Sequence, residues 1–294
     1  LVENDGSIRT LDTDYQQEEN EDGFIKLRKA QQSSDNHYPD VLALHLPEFD
    51  NMEDENEWTA EITISFPKLH KFVKSNDISP LTLLMAALCH ALHRTYYVGT
   101  DRTDNIVAEV PMDLRTYIRT PTVRFFVALL DLPFHYEYFK LPVVEAARRM
   151  SEYFDTQRAL PHAAFWALKN AKRVQDGHQA DMPIAEKEQM MREQARNYIR
   201  RDSFILTNIG PFRVPVSMEK YIEDYGAILP CAHQPLGVLV SSYRDTLKIS
   251  LSQRDERPDL MNHLVDVLGE LGFPAKTKRY MFHVTRYDGE HLAK

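Results

Sequence analysis

Between Trp58 and Phe66 the chain alternates, with Thr59, Glu61, Thr63 and Ser65 interleaved among Ala60, Ile62, Ile64 and Phe66. That period of two predicts a half-buried strand. A different rhythm follows. Pro67 to Lys74 reads as a short helix, and Ser79-Pro80 places a capping hydroxyl before a first-turn proline, which predicts a helix start. From Leu81 to Tyr96 the residues are apolar nearly all round, the pattern of a helix buried between other elements. Strands are predicted at Ile106 to Pro111 and Val123 to Leu130. In the helix predicted from Val143 to Arg158, Val143, Ala147, Met150 and Phe154 form a stripe. Two further helices cover 161–174 and 183–200, and Asp202 to Thr207 reads as a short strand. Leu236 to Tyr243, a turn at Arg244-Asp245, and alternating Leu247, Ile249 and Leu251 predict a β-hairpin. The last helix starts at Pro258, carries Leu260, Leu264, Leu268 and Leu271 on one face, and ends at Gly272, a left-handed cap position. Strands and helices mix without a regular βαβ rhythm, so the class is α/β (α+β), a mixed β-sheet flanked by helices.

The ends differ from this body. Residues 1–56 hold turn formers, Gln and Glu runs and little periodicity, and read as an acidic, poorly ordered linker with one short helix over Phe24 to Ala30. The body spans 57–275, and 276–294 reads as a tail or a final strand. Charge sharpens the division. Residues 1–60 carry 16 acidic and 4 basic side chains, or −12, and the rest 28 and 31, or +3, giving the total of −9. The acidic segment reads as solvated, or as a docking tail for a basic partner. No Lys- and Arg-rich cluster favours nucleic acid as a partner.

With 294 residues the chain can bury a substantial core. Cys89 and Cys231 are its only cysteines, so neither a disulfide framework nor a zinc spacing is present, and a cytoplasmic location is expected. The longest apolar run, Leu81 to Leu92, contains His90 and is too short to span a bilayer. No signal peptide is legible. The chain opens on Leu1 and its first methionine is Met52, which predicts a piece of something longer.

Three ordered blocks carry the chemistry: Val110-Pro111-Met112-Asp113-Leu114-Arg115, Thr207-Asn208-Ile209-Gly210, and Ser241-Ser242-Tyr243 in the hairpin. With Ser79-Pro80-Leu81-Thr82 and the apolar helix after it, their order resembles the C-terminal half of the chloramphenicol acetyltransferase-like superfamily. The likeness extends to alcohol acetyltransferase-like and condensation-type proteins and covers 57–275. Val110 to Arg115 looks like the family's P-x-N-L-R segment and Thr207 to Gly210 like its S-N-L-G strand end. Asp113 stands where relatives often carry Asn, and Phe125, after Arg124, is a similar departure.

The resemblance implies one half of a two-part enzyme with a tunnel between the halves. Acyl-CoA as co-substrate, or an acyl carrier thioester, would enter from one side and a small alcohol or amine from the other. No covalently bound cofactor and no metal are implied. The family's general base is the histidine of a His-His-x-x-x-Asp-Gly motif, an imidazole that takes the acceptor's proton. That motif is absent: Asp5-Gly6 is preceded four residues earlier by Leu1. The base is therefore expected in a missing N-terminal half upstream, and this chain alone is expected to be inactive. Thr207 and Asn208 are candidate donors to the developing oxyanion, against the alternative of a simple turn. Arg115 is expected as a clamp paired to a carboxylate. Ser242 is a tunnel candidate, since Ser241 and Ser242 alternate and only one faces inward. His90 and His93 share a helix face but lack further ligands, so a buried pair is expected rather than a metal site. Two other readings stay open, a non-catalytic acyltransferase-like binding module and a condensation-type amide-forming domain.

Overall fold

A computed structural model describes residues 14, 16–30, 43–46, 56–179, 181–199, 201–231, 234–254 and 256–283. Seven strands form one mixed sheet: β1 (Asn56–Ser65), β2 (Ile106–Asp113), β3 (Val127–Phe134), β4 (Phe204–Pro211), β5 (Leu236–Tyr243), β6 (Thr246–Gln253) and β7 (Lys276–His283). Their order is β3-β2-β4-β5-β6-β1-β7. β2, β4 and β5 are parallel neighbours at the centre, and the remaining pairings are antiparallel. The helices are α1 (Gly23–Ala30), α2 (Phe66–Asn76), α3 (Pro80–Tyr96), α4 (Val143–Gln157), α5 (Leu160–Gln179), α6 (Ile184–Ile199), the single turn α7 (Val216–Glu219) and α8 (Pro258–Glu270).

The alternation read in β1 works as expected. Ala60, Ile62 and Ile64 face the core, joined by Val238 and Val240 of β5 and Leu247, Ile249 and Leu251 of β6, all buried. Helix α3 lies over this apolar face between α4 and α8, and ten of its residues are buried. The Ser79 hydroxyl caps it, accepting from the Thr82 N–H at 3.1 Å. At the end of α8, Gly272 has φ 85° and the Phe273 N–H returns to the Leu268 carbonyl at 2.8 Å, the left-handed cap that glycine favours.

Two boundaries moved. The third predicted strand begins at Val127 rather than Val123, because Val123 and Phe125 are 67% and 71% exposed in a loop, and Phe126 is the first residue to reach the core. The stretch 276–283 is the edge strand β7, paired along β1 from Lys276 to His283. Within the acidic segment, α1 docks on the body. Leu27 is fully buried, Phe24 meets Phe126 edge-on at 5.2 Å, and the Thr122 hydroxyl donates to the Glu21 carbonyl at 2.6 Å. Leu44 and Leu46 are buried as well. Asp5-Gly6 lies outside the described residues.

The second face of the sheet is polar and yet covered. Pairing in register aligns Asp131, Glu109, Ile205, Gly237, Ser252 and Thr59 in one row across it. Over its β5–β6–β1 part runs a strap, residues 212–231, with little regular structure. The Cys231 N–H donates to Glu57 Oε2 at 2.9 Å, and the Ser250 hydroxyl donates to the Ala227 carbonyl at 2.7 Å. Lys248 Nζ reaches Asp224 Oδ2 at 2.5 Å and Glu61 Oε1 at 3.1 Å. Burial disfavours the Lys248 charge, but its bonds to Asp224 and Glu61 outweigh that and raise its pKa. Arg254 donates to the Cys231 carbonyl and lies 3.9 Å from Glu57 Oε1, an ion pair almost wholly out of water. A methyl at Gly237 would sit 2.5 Å from the Leu229 carbonyl oxygen, so only glycine lets the strap lie this close.

Candidate functional site at the outer ends of the parallel strands

Because β2, β4 and β5 are parallel, their C-terminal ends emerge at one edge of the sheet, the place where open α/β sheets offer a binding crevice. All four candidates from the sequence lie there, but they do not share one pocket. Arg115 follows β2 and is bonded inside its own loop. Its Nη1 and backbone N–H meet Asp113 Oδ1 at 2.9 and 3.0 Å, Nε donates to the Thr122 carbonyl at 2.9 Å, and Nη2 to the Arg124 carbonyl at 2.5 Å. Its planar fork thus ties loop 114–126 to the end of β2.

Asn208 is exposed near the end of β4. Its Oδ1 accepts from the Gly210 N–H at 2.9 Å, a short local turn, and Gly210 has φ 71°. With Oδ1 engaged by Gly210, the amide nitrogen is the remaining donor of this exposed side chain. Thr207 stands beside Leu239 on the polar face, while Asn208 stands beside Val240 on the helix-covered face. A bulge between Asn208 and Gly210 then sets Pro211 beside Ser242. Ser242 is 6% exposed and shares the apolar face with Val240, whereas Ser241 shares the polar face with Lys248. Thr207 and Ser242 therefore look to opposite sides of the sheet, and Asn208 is the candidate that remains open.

The segments that leave these strand ends expose several large hydrophobic residues. Among the described residues, the exposed large hydrophobics include Tyr117, Val123 and Phe125 of loop 114–126, Ile209 at the end of β4, and Val216 and Tyr221 of the strap, 38–79% exposed.

The helical histidines belong elsewhere. His90 packs edge-on against Phe134 and Phe139, and His93 stacks on Tyr97 at 5.1 Å. Burial, with the neighbouring His93 and Arg94 charges, pushes the His90 pKa down to about 4, so it is a neutral core side chain at neutral pH. No group of three or more His, Cys, Asp or Glu among the described residues is placed to hold a metal ion. Cys89 and Cys231 are fully buried, and burial drives the Cys231 thiol up to about 12 while it donates to the Ser252 carbonyl at 2.7 Å, which makes both structural. No described helix is long and apolar enough to cross a membrane. Sequence reasoning missed the buried charges Glu57, Arg254, Lys248, Glu109, Asp131 and Asp202. Their only signal was alternation with apolar neighbours, which reads equally well as a solvated face.

No family model and no curated protein matches the chain. Solved structures do. A nonribosomal peptide synthetase in its AMPPNP-bound form matches with a TM-score of 0.51 at 12% identity, over 80% of this chain and 23% of that one. The two chains share one fold over that stretch, a mixed seven-stranded sheet flanked by helices. The epimerization domain from the third module of a tyrocidine synthetase aligns at TM-score 0.47 and 11% identity, over 87% of this chain and 56% of its own. A trichothecene 15-O-acetyltransferase from Fusarium sporotrichioides aligns at 0.46 and 12%, over 78% and 55%. The chain spans from about a quarter to just over half of the length of these chains.

Proposed function

We propose that this chain is one half of a thioester-dependent acyltransferase, of the alcohol acetyltransferase-like or condensation-like kind, and that a companion half covers the edge at the ends of β2, β4 and β5. The observation that carries this reading is the run of exposed large hydrophobic residues in the segments that follow β2 and β4. Tyr117, Val123 and Phe125 follow β2, Ile209 ends β4, and Val216 and Tyr221 follow β4, all exposed, on segments leading from the ends of strands where a parallel sheet presents its ligand edge; exposed apolar surface of this kind suits an interaction surface. The companion supplies the histidine base, which takes the proton of an alcohol or amine as its oxygen or nitrogen attacks the acyl thioester of coenzyme A or a carrier. The tetrahedral intermediate then collapses with cleavage of the C–S bond, and the imidazolium returns the proton to the departing thiolate. The Asn208 amide donates to the oxyanion that forms, Arg115 holds the neighbouring loop in place, and Thr207 and Ser242 line the two flanks.

The test is to express the full reading frame that contains this chain and assay acyl transfer from thioesters to alcohols and amines. Transfer is expected, with Asn208→Ala lowering kcat about 10²–10³-fold, the usual cost of one oxyanion donor. An intact protein that binds thioester without turning it over would replace this reading with a non-catalytic module.

A further inference from the structure

Strand β4 does not run out as a plain strand. Thr207 stands beside Leu239 and Asn208 beside Val240, but the next pair is Gly210 with Ser241. Ile209 is therefore the extra residue of a bulge, and it is 49% exposed. Bulges bend the strand that carries them and re-aim the side chains beside them, which is why they recur next to functional sites. Pairing then resumes. Pro211 stands beside Ser242, and the Phe212 N–H donates to the Ser242 carbonyl at 2.7 Å. The irregularity is one residue wide, with paired backbone before and after it.

Gly210 closes this bulge at φ 71°. A Cβ added there would meet nothing within 4 Å, so packing does not call for glycine at this position. Backbone conformation does. An L-residue in the left-handed region sets its Cβ against the following carbonyl oxygen, a strain worth about 5–30-fold in an equilibrium. In this conformation the Gly210 N–H donates to Asn208 Oδ1 at 2.9 Å, the hydrogen bond that the Asn208 side chain makes among the described residues. The side-chain amide is planar, so fixing its oxygen on Gly210 also fixes the direction of its NH2 group. An exposed asparagine held by nothing would instead rotate between orientations that exchange oxygen and nitrogen.

We propose that Gly210 is a positioning residue for acyl transfer, whose left-handed turn locks the Asn208 amide so that its NH2 group, and not its oxygen, meets the oxyanion. This rests on the acyl-transfer reading above, in which Asn208 is the oxyanion donor. Gly210 touches no reacting atom and acts through Asn208. The turn sets in advance an orientation that a free side chain would have to find as charge develops, and a donor held ready in this way costs no reorganisation during the reaction.

The test uses the full reading frame that contains this chain and an assay of acyl transfer from a thioester. Gly210→Ala keeps the N–H but strains the left-handed turn, and is expected to lower kcat about 5–30-fold with KM little changed. Gly210→Asn tolerates the left-handed region and is expected to recover most of that loss. In an Asn208→Ala background, Gly210→Ala should cost nothing further in kcat, because two residues acting through one interaction do not add. A residue serving only the fold would lower stability and rate together in either background. Asn208→Asp separates the two functions of the side chain, since it keeps the accepting oxygen and loses the donor. Its kcat should fall at least as far as that of Asn208→Ala, yet the Gly210 N–H should stay protected from exchange by NMR, as in the unsubstituted protein and unlike Asn208→Ala.

Undiminished kcat in Gly210→Ala, with Asn208→Ala impaired, would overturn the positioning role and leave the donor reading standing. So would a further loss when Gly210→Ala is added to Asn208→Ala, or a Gly210 N–H equally protected in Asn208→Ala. An unimpaired Asn208→Ala would instead sink the donor reading, and the positioning role with it. Should Gly210→Ala fail to fold, the exchange comparison among the Asn208 variants decides.

Discussion

The two faces of one sheet are held by different physics. On the helix-covered face, Ile62, Val240, Ile249 and their neighbours are buried against α3 and α8, and stability comes from apolar area removed from water. On the other face, Glu57, Lys248, Ser250, Ser252 and Arg254 are just as deeply buried, but under a strap attached by directional bonds to its backbone. That face also leaves Thr59 Oγ1, Ser241 Oγ and Ser252 Oγ without a hydrogen-bond partner among the described residues. The difference teaches that burial alone does not make a core. Apolar burial tolerates small shifts, whereas a buried polar layer fails when one partner is removed, because the group left behind stays unsatisfied.

Substitutions on the two faces should separate these mechanisms. Arg254→Met leaves Glu57 charged and unpaired in the interior, and is expected to cost about 3–5 kcal/mol by denaturant unfolding. Adding Glu57→Leu should recover most of that loss, since replacing both partners removes the stranded charge. Phe204→Ala on the apolar face should cost about as much, 3–5 kcal/mol, through the cavity it opens. No second polar-to-apolar change should rescue it. Equal behaviour of the two variants on rescue would erase the distinction drawn between the faces.

A smaller effect is expected where the strap touches the sheet most closely. Gly237→Ala forces a methyl against the Leu229 carbonyl and should cost about 1–3 kcal/mol, with proteolysis appearing first within 212–231. Smallest of all is Phe125→Ser at the exposed edge, expected to change the stability of this chain by less than about 0.5 kcal/mol. Under the proposed two-half reading, the same change weakens the contact between halves, seen as loss of acyl transfer in the full reading frame. A large stability loss in the isolated chain would instead place Phe125 in its own core.

Much of this architecture was legible before any coordinates. The period-two runs at Trp58–Phe66 and Leu247–Leu251, the Ser79-Pro80 helix start and the Gly272 cap are local signals, each carrying its own geometry. So was the order of the blocks Val110 to Arg115, Thr207 to Gly210 and Ser241 to Tyr243, which pointed to the fold class. The strand start at Val123 was misplaced because a β-branched and aromatic run scores as strand wherever it lies, and only the loop pinned by Arg115 moves it to Val127.

Local pattern thus determined roughly which residues form strands and helices and which face of β1 and β6 is apolar. It could not say that the opposite face is buried. Lys248, Ser250 and Ser252 read as solvent-facing until the strap, distant in sequence from β1, closes over them. Nor could it bring Glu109, Asp131 and Asp202 together from three separate segments, or turn Thr207 and Ser242 to opposite sides. Those outcomes depend on strand order and register, which are set by long-range pairing rather than by any residue's immediate neighbours.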